Sequence, residues 1–260
     1  MEHKLLGRKL LQHFSKLVFD EPSHTYKVVG KGLTPVSNII KEFVRPFDSQ
    51  KISKFSAFKE GITQEEILKK WDKIRDDACA DGTRVHDFGE RYVIDRYGVI
   101  SNLNFMSVCQ HLKKGEKLRP KELALIKFWD KKPEWYVPVS LELRMFCVEM
   151  GVAGTADIIL LDVRDNSLVI ADYKTNKDLF KNYKDKRLLG IFKDLKDCPY
   201  NKYKIQLSMY QILLEKVGYK VSRRFLVWLK DDGEYEVFDT PDITKELINY
   251  FNNKKQYAEW

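Results

Sequence analysis

The sequence predicts an α/β protein with a mixed central β-sheet flanked by helices and a helical elaboration at its N-terminus. Apolar or alternating segments that are typical of strands lie in the middle of the chain and again near its end. Segments with helical periodicity lie before, between and after them. The order is helices, three strands, a helix, two strands and a helix, which suits a mixed sheet with helices packed against it.

The first part of the chain is predicted to form a hairpin followed by helices. Short alternating segments around turn residues in "FDEPSHTYKVVGKG" predict the hairpin. Thr34 is placed to cap the next helix, with Pro35 at its first position. In "TQEEILKKWDKIRDDAC", Thr63 and Glu66 form a capping box at the start of another helix.

The second part begins with a further helix and then turns to strands. Asp81 can cap a helix over "GTRVHDFGERYVIDRYG", and residues 120–131 form another. Strands follow at "WYVPVSLELRMFCV", "TADIILLD" and "SLVIADYKT", the last two joined by the polar turn "VRDN". A helix, the strands "RRFLVWLK" and "EYEVFDT", and a helix from near Thr240 complete the chain. We therefore divide it into an N-terminal elaboration, residues 1–80, and a core, residues 81–260.

Composition indicates a globular protein and excludes several classes. Of the 260 residues, 43% are hydrophobic and 32% are charged. No apolar run approaches the roughly 20 residues of a membrane span, and the charged opening "MEHKLLGRKLLQHF" lacks the features of a signal peptide. The net charge is +8, from 46 Lys+Arg against 38 Asp+Glu, which permits a polyanionic partner without proving one.

The cysteines do not indicate a metal centre. Cys79, Cys109, Cys147 and Cys198 are widely spaced, with no CxxC or Cys/His pairing. We expect free thiols in a reducing cytosol.

The stretch "IADYKTNK" ends a buried strand with an acid and an amine. Asp172 and Lys174 are two residues apart, so their side chains point to the same face. If the preceding turn is centred between Arg164 and Asp165, Asp157 stands opposite Asp172, with Cβ atoms roughly 4.5–5.5 Å apart. We therefore expect Asp157, Asp172 and Lys174 to cluster on one face.

Such a cluster has two interpretations. Opposed carboxylates repel each other unless a positive charge lies between them. A divalent cation fits, because hard oxygen ligands suit Mg²⁺ and Mn²⁺. Lys174 alone can supply the counter-charge instead, and the spacing does not decide between a metal site and a structural cluster.

Other candidate residues are weaker when taken singly. Glu142 lies on the preceding strand, where a lone glutamate is usually solvated. His86 and Glu90 share a helix face, as do Gln206 and Tyr210. Each pair also fits an ordinary packed or surface position.

Five motifs together are more specific. "GTRVHDFGE", "LEL", "GVAGTAD", "IADYKTNK" and "QLSMY" stand in this order over residues 82–210. They resemble the PD-(D/E)XK nuclease superfamily in its RecB-like and phage-type exonuclease branch, whose pattern is Gly-Thr-x-x-His, a strand Glu, Gly-x-x-Asp, Asp-x-Lys and Gln-x-x-x-Tyr. The opening "DEPSHTYKVVGKGLTPVSNII" is also similar to the start of phage-type exonucleases. The resemblance implies a restriction-endonuclease-like core over residues 81–260, and we expect residues 1–80, the N-terminal hairpin and helices, to be an elaboration that contacts DNA.

The resemblance also implies roles. The implied metal ligands are His86, Asp157, Asp172 and the carbonyl of Tyr173. The implied catalytic residues are Glu142, Asp157, Asp172 and Lys174. Lys174 would position or polarise the attacking water, while a carboxylate-held Mg²⁺ or Mn²⁺ lowers the pKa of that water and screens the phosphate's charge.

DNA contacts are expected on two elements. The resemblance gives Gln206 and Tyr210 the task of holding DNA near the site. Residues 174–204 contain ten Lys/Arg and four Asp, a net +6, with aromatic residues between them. This basic segment predicts backbone contacts and stacking on unpaired bases, with a solvated loop as the alternative. Its candidate DNA-binding residues are Lys177, Lys181, Lys184 and Arg187.

The function expected is that of a metal-dependent DNA exonuclease of a phage or mobile element, acting in recombination, replication or repair. The alternatives are a structure-specific DNA endonuclease and a non-catalytic DNA-binding protein that keeps the fold. The expected partners are linear DNA with free ends and a single-strand-annealing or other recombination protein, with no membrane, in the bacterial or phage-infected host cytoplasm. The cysteine pattern departs from that of relatives with an iron–sulfur cluster, so no such cluster is expected.

Overall fold

The computed structural model of the protein describes residues 2–101 and 117–258. Within these ranges nine strands join in one mixed sheet, and helices pack on both of its faces. The predicted α/β class with a mixed central sheet flanked by helices is therefore confirmed. Of the helices described, none is both long and apolar enough to cross a membrane.

The N-terminal part contains four helices and a meander of three short strands. Its elements are α1 (Glu2–His13), β1 (Leu17–Asp20), β2 (Thr25–Val28), β3 (Lys31–Pro35), α2 (Val36–Glu42), α3 (Ser49–Glu60) and α4 (Gln64–Tyr97). The predicted hairpin is confirmed as β1 and β2, and β3 extends it.

The rest of the chain supplies the main strands. Its elements are β4 (Ile100–Ser101), α5 (Pro120–Lys131), β5 (Tyr136–Cys147), β6 (Val152–Asp162), β7 (Ser167–Lys174), a short 3₁₀ helix (Gly190–Phe192), α6 (Pro199–Glu215), β8 (Val221–Leu229), β9 (Tyr235–Asp239) and α7 (Thr244–Ala258). The helix predicted over residues 120–131 is confirmed.

Helix α4 corrects one prediction. It runs for 34 residues without a break, so the separate helix capped by Asp81 is wrong. Asp81 lies inside the helix and its carboxylate is 2.7 Å from Nζ of Lys121, a tertiary contact that local sequence does not reveal. The capping box of Thr63 and Glu66 is confirmed. The boundary predicted after residue 80 falls inside α4. That the residues before it contact DNA and those after it form the core remains a prediction.

Two helix starts also differ from the prediction. Strand β3 continues through Pro35 and α2 begins at Val36, so Thr34 belongs to the strand rather than to a cap. The last helix begins at Thr244 rather than near Thr240, because Asp242 accepts hydrogen bonds from the Thr244 backbone and hydroxyl.

The register between β6 and β7 agrees with the predicted turn. Ile158 pairs with Ala171 and Ile159 with Ile170 in antiparallel fashion. This is the register that places Asp157 opposite Asp172, one step beyond the last of the pairs. The turn predicted between Arg164 and Asp165 therefore has the expected position.

A gap in strand pairing opens the sheet next to Asp157. Strand β5 pairs along the whole of β6 on one edge. On the other edge, β3 pairs with β6 at Val152 and Ala153, and β7 pairs with it from Ile158 onward. Residues 154–157 lie between these two partners, so β3 and β7 diverge there and leave room for a cleft.

The two faces of the sheet carry different helices. Helices α1, α2, α6 and α7 pack on one face, in a core that includes Leu10 of α1, Val36 of α2 and Ile170 of β7. Helices α4 and α5 pack on the other face, where Val85 and Phe128 contact the sheet. Of the N-terminal helices, α1, α2 and α4 therefore share the core of the sheet.

Candidate active site

A cleft of about 510 Å³ opens at the gap between β3 and β7. Its walls come from the β1–β2 hairpin, the start of α2, and from α4, β5, β6 and α6. The cleft therefore collects residues from four of the five sequence motifs, and the fifth motif, at the end of β7, lies directly beneath it.

Asp157 and His86 form the centre of the cleft. Nδ1 of His86 lies 3.1 Å from Oδ2 of Asp157, and the side chains are 29% and 16% exposed. The backbone N–H of Tyr173 donates to the same carboxylate oxygen at 3.2 Å. Helix α4, β6 and β7 thus each fix one part of this contact.

Glu142 completes a set of three candidate metal ligands. One ligand atom from each of His86, Glu142 and Asp157 lies within 4.8 Å of the other two. Glu142 has a φ of 46°, a left-handed conformation that is unusual for a residue with a side chain. This turn in the backbone lies opposite Asp157, and strained residues of this kind are typical of functional sites.

Asp172 and Lys174 lie deeper, next to this set. Nζ of Lys174 is 2.7 Å from Oδ1 of Asp172, and the Asp172 side chain is only 2% exposed. The Asp172 carboxyl lies next to that of Asp157, close enough for each to shift the pKa of the other. The ring of Tyr203 covers the ammonium, with its centroid 4.1 Å away. The predicted cluster of Asp157, Asp172 and Lys174 is therefore present, with Asp172 touching Asp157 rather than joining the set of three.

The pKa values show an excess of negative charge. Burial, followed by the charge of Asp157, raises the pKa of Glu142 to about 8 and that of Asp172 to about 7. Burial opposes ionisation of Asp157 as well, yet His86 and Lys174 hold its pKa below the ordinary value. The site therefore retains protons that a cation would replace.

The two cations of the site show the complementary effect. Burial disfavours their charged forms, yet the carboxylates outweigh it and raise the pKa of His86 to about 9 and that of Lys174 above its ordinary value. Two oxygen donors and one imidazole, crowded with excess negative charge, fit a divalent cation such as Mg²⁺ or Mn²⁺.

Tyr173 contributes mainly through its backbone. Its side chain is buried on the opposite side of β7, where the hydroxyl accepts a hydrogen bond from Trp129 and the ring meets that of His86. Its N–H holds Asp157. Coordination by its carbonyl remains a prediction.

Gln206 and Tyr210 line the cleft as a pair. Nε2 of Gln206 donates to the Tyr210 hydroxyl at 3.0 Å, while Oε1 of Gln206 is buried without a protein partner among the described residues. A Cβ at Gly154 would lie 2.7 Å from the Tyr210 ring, so this glycine allows α6 to approach the cleft. Both residues predicted to hold DNA therefore reach the candidate site.

The basic segment is attached to the core by apolar residues, while its candidate DNA-binding residues lie on the surface. Leu179, Leu188 and Phe192 anchor it in the core. The four candidate DNA-binding residues on it are all exposed, but the described lining of the cleft includes none of them. They are Lys177, Lys181, Lys184 and Arg187. Their contact with DNA remains a prediction.

Two features of the cleft were missed from the sequence. The guanidinium of Arg144 lies 4.9 Å from the ring centroid of Phe19 on the hairpin. The hydroxyl of Tyr26, also on the hairpin, lies 2.9 Å from that of Thr155 on β6. Both contacts join distant parts of the chain. The local signal that could have indicated Arg144 is its position two residues after Glu142 on one strand, because side chains at this spacing share a face.

The remaining sequence candidates have other surroundings. Glu90 is buried, bonds to Ser101, and has a pKa raised by burial, so it borders the cleft without joining the ligand set. Cys79, Cys147 and Cys198 are free thiols, and Cys109 lies outside the described residues.

Comparison with known proteins gives one informative match. A sequence model of the PD-(D/E)XK nuclease superfamily matches residues 59–257. A search of curated proteins finds no match. Among similar solved structures, one described as "Crystal structure of SSO0001" is 11% identical, with 59% of this chain and 81% of that chain aligned and a TM-score of 0.25. That score is too low to support an argument. The family match covers the cleft residues from α4 to α6.

Proposed function

The chain belongs to the PD-(D/E)XK nuclease superfamily, and on this basis we propose that it is a Mg²⁺- or Mn²⁺-dependent DNA exonuclease of the RecB-like branch. The proposal depends mainly on the position of Asp157. It belongs to the candidate ligand set with His86 and Glu142, and it also lies next to the Asp172–Lys174 pair. A candidate metal-binding set and a buried acid–lysine pair thus lie side by side at Asp157. This is the donor arrangement that phosphodiester hydrolysis needs.

The residues divide the chemistry between them. His86, Glu142 and Asp157 would hold the cation, with Asp172 available once its proton leaves. A bound divalent cation supplies an activated water and neutralises phosphate charge. The chain itself keeps Lys174 protonated and fixed by Asp172, so that the ammonium can orient the nucleophile and stabilise developing charge.

The position of Arg144 is evidence for a substrate that carries phosphate groups. Its guanidinium lies in the cleft two residues from Glu142, stacked on Phe19, and makes no ion pair within the described residues. Arginine binds phosphate oxygens in a fixed fork geometry. An arginine that has no ion pair among the described residues and lies beside the candidate ligand set fits the phosphate backbone of a nucleic acid.

The finer parts of the proposal rest on the motifs. The resemblance to phage-type exonucleases supports DNA with free ends as substrate and a role in phage or mobile-element recombination, replication or repair. The alternatives are a structure-specific endonuclease and a non-catalytic DNA-binding protein. The intact acids and lysine of the site favour an enzyme. A recombination protein as partner and a bacterial or phage-infected host cytoplasm belong to the same proposal.

The test compares end-labelled linear DNA with covalently closed circles, each with Mg²⁺, with Mn²⁺ and with EDTA. We expect degradation of linear DNA only when metal is present, with closed circles largely spared. Equal cleavage of circles would favour the endonuclease. No cleavage of either, with binding retained, would favour the non-catalytic protein. Asp95→Asn, at an exposed position on α4, serves as the control for general effects of removing an acid.

A further inference from the structure

Helix α4 extends well beyond the sheet. Its second half packs on the sheet and carries His86, while most residues between Gln64 and Gly82 are exposed. Helix α3 packs across this outer half. Gln64 donates to Ser53 Oγ at 2.9 Å, and Ser53, Ala57 and Ile67 are buried. Together the two helices form a projecting arm that is continuous with the candidate active site.

The outer face of α3 carries an aromatic and basic surface. Phe55 is 74% exposed and Phe58 is 90% exposed, and Lys51 and Lys54 are exposed beside them. Helical spacing places all four within about one third of the circumference. They border one shallow depression, together with Asp48 and Gln50. We call these four residues, Lys51, Lys54, Phe55 and Phe58, the α3 platform.

No partner in the described part of the chain explains the α3 platform. Phe55 and Phe58 have no ring contact, and Lys51 and Lys54 have no ion pair, within residues 2–101 and 117–258. Exposing two phenylalanines side by side is unfavourable for a soluble surface unless something covers them. Two unpaired ammonium groups next to the rings select an anionic partner.

We propose that the α3 platform binds an unpaired strand of the nucleic acid substrate, with bases stacked on Phe55 and Phe58 and phosphates near Lys51 and Lys54. Alternation of exposed rings and cations is the usual arrangement for single-strand binding, because every base has a stacking face. The inference rests on the proposed function, which makes the substrate a nucleic acid. It adds a second contact site, remote from the cleft.

The geometry sets a length requirement. Residues of α4 that hold α3 lie roughly 20–35 Å along the helix from His86, at 1.5 Å per residue. For a strand whose bases stay stacked at the duplex spacing of about 3.4 Å, this equals about six to ten bases. A shorter strand can reach the cleft or the platform, but not both. The platform should therefore matter for long substrates and not for short ones.

The test uses the paired substitutions Phe55→Leu with Phe58→Leu, and Phe55→Tyr with Phe58→Tyr. Leucine keeps the apolar surface and removes the stacking face, while tyrosine keeps the ring. Binding of a single strand of about 20 nucleotides, measured by fluorescence anisotropy in EDTA, should weaken about tenfold or more in the leucine variant and change by less than about twofold in the tyrosine variant. Cleavage of a strand of about four nucleotides should be unchanged in both.

A second variant tests the charges. Lys51→Gln with Lys54→Gln should make the salt dependence of single-strand binding less steep by about 1.4 in log–log slope. Lys16→Gln with Lys245→Gln, at exposed positions on other parts of the chain, is the control and should leave the slope unchanged.

The outcomes separate this inference from the proposed function. Wild-type binding by the leucine variant would overturn stacking and assign the surface to a protein or lipid partner, which leucine still satisfies. Equal loss in the tyrosine variant, or an unchanged slope in the lysine variant, would also overturn it. Binding is measured in EDTA and does not depend on cleavage. A protein without nuclease activity would therefore contradict the proposed function, while the binding test would still support or contradict the present inference.

Discussion

Nζ of Lys174 lies 2.7 Å from Oδ1 of Asp172, and the two side chains are 13% and 2% exposed. The ring of Tyr203 covers the same ammonium. The lysine is therefore fixed before substrate arrives, and it depends on its buried partner for its position. Removing one partner of a buried pair leaves the charge of the other partner uncompensated. Separate substitutions of Asp172 and Lys174 therefore test different parts of the site.

Asp172→Asn should abolish cleavage and leave the fold intact. The amide keeps the shape of the carboxyl, but it removes the negative charge that fixes Lys174 and that can reach a metal. We expect a loss of at least about a hundredfold in single-turnover rate. The variant should still fold at the assay temperature, with a lower Tm because Lys174 loses its buried partner. Asp95→Asn should match the wild type in both measurements. Retained cleavage in the variant, or wild-type cleavage in EDTA, would contradict the assignment.

Lys174→Ala should reduce the chemical step far more than DNA binding. The ammonium is mostly buried beside Asp172 rather than exposed toward solvent, so it acts on the reaction centre and contributes little to backbone attraction. Single-turnover cleavage at saturating DNA should fall by about 10²–10³, while Kd in EDTA stays within a few fold. Lys16→Ala, at an exposed position outside the cleft and the basic segment, is the control. A variant with weaker binding and unchanged single-turnover cleavage would reverse the two roles.

His86→Ala should weaken metal binding and shift the preference between Mg²⁺ and Mn²⁺. His86 contacts Asp157 and belongs to the set of three candidate ligands. Imidazole suits Mn²⁺ better than Mg²⁺, so its loss should cost more activity with Mn²⁺. Metal titrations of cleavage measure both effects. If neither titration moves, His86 is a packed residue that only pairs with Asp157.

Glu142 should make the stability of the metal-free protein depend on pH. Burial and the charge of Asp157 raise its pKa from 4.5 to about 8. A carboxyl whose pKa is raised by folding stabilises the fold fully below its unfolded pKa, and this contribution is lost as pH rises through the folded pKa. Relative to Glu142→Gln, which cannot titrate, the free energy of unfolding of the wild type should therefore fall between pH 4.5 and about 8.

Urea unfolding in EDTA across this range measures the difference. Its size should be a few kcal/mol at most, from about 1.4 kcal/mol per pKa unit. Added Mg²⁺ should reverse the trend in the wild type, because the cation prefers the ionised carboxylate and its binding stabilises the folded state. Parallel pH curves for the two proteins would show that Glu142 stays ionised in the metal-free state.

The sequence predicted the parts of the site that depend on local pattern. Asp157 and Asp172 meet because the turn between their strands fixes the register, and the turn is visible in the polar stretch "VRDN". Glu142 was placed on its strand, but its contact with His86 depends on a left-handed backbone that no periodicity reveals. The contact of Arg144 with the hairpin escaped prediction, because it joins segments over 100 residues apart.

Helix α4 is a case in which the local sequence predicts a boundary that the structure does not have. Asp81 and Gly82 together predict a helix boundary from local propensity. In the structure Asp81 is paired with Lys121 from α5, and the helix continues. Tertiary contacts thus overrode a local signal, and the continuous helix creates the arm that carries the α3 platform.

The basic segment should control the salt dependence of duplex binding. Seven of its ten lysines and arginines are exposed, on a backbone that Leu179, Leu188 and Phe192 anchor in the core, so they form a fixed charged surface. Each phosphate neutralised on duplex DNA contributes about −0.9 to the slope of log K against log salt. The variant replaces four residues by glutamine: Lys181, Lys184, Lys186 and Arg187.

If all four contact phosphates, the quadruple variant should make that slope less steep by about 3.6 and weaken binding to all sequences alike. Metal titrations should not change, because none of the four belongs to the candidate ligand set. A control variant with four other exposed lysines replaced, Lys9, Lys16, Lys131 and Lys245, has the same net charge and should keep the wild-type slope. Equal effects in the two variants would mean that DNA senses only the overall charge of the protein. An unchanged slope in the first variant would remove the segment from the DNA path and leave the cleft and the arm as the surfaces that bind the substrate.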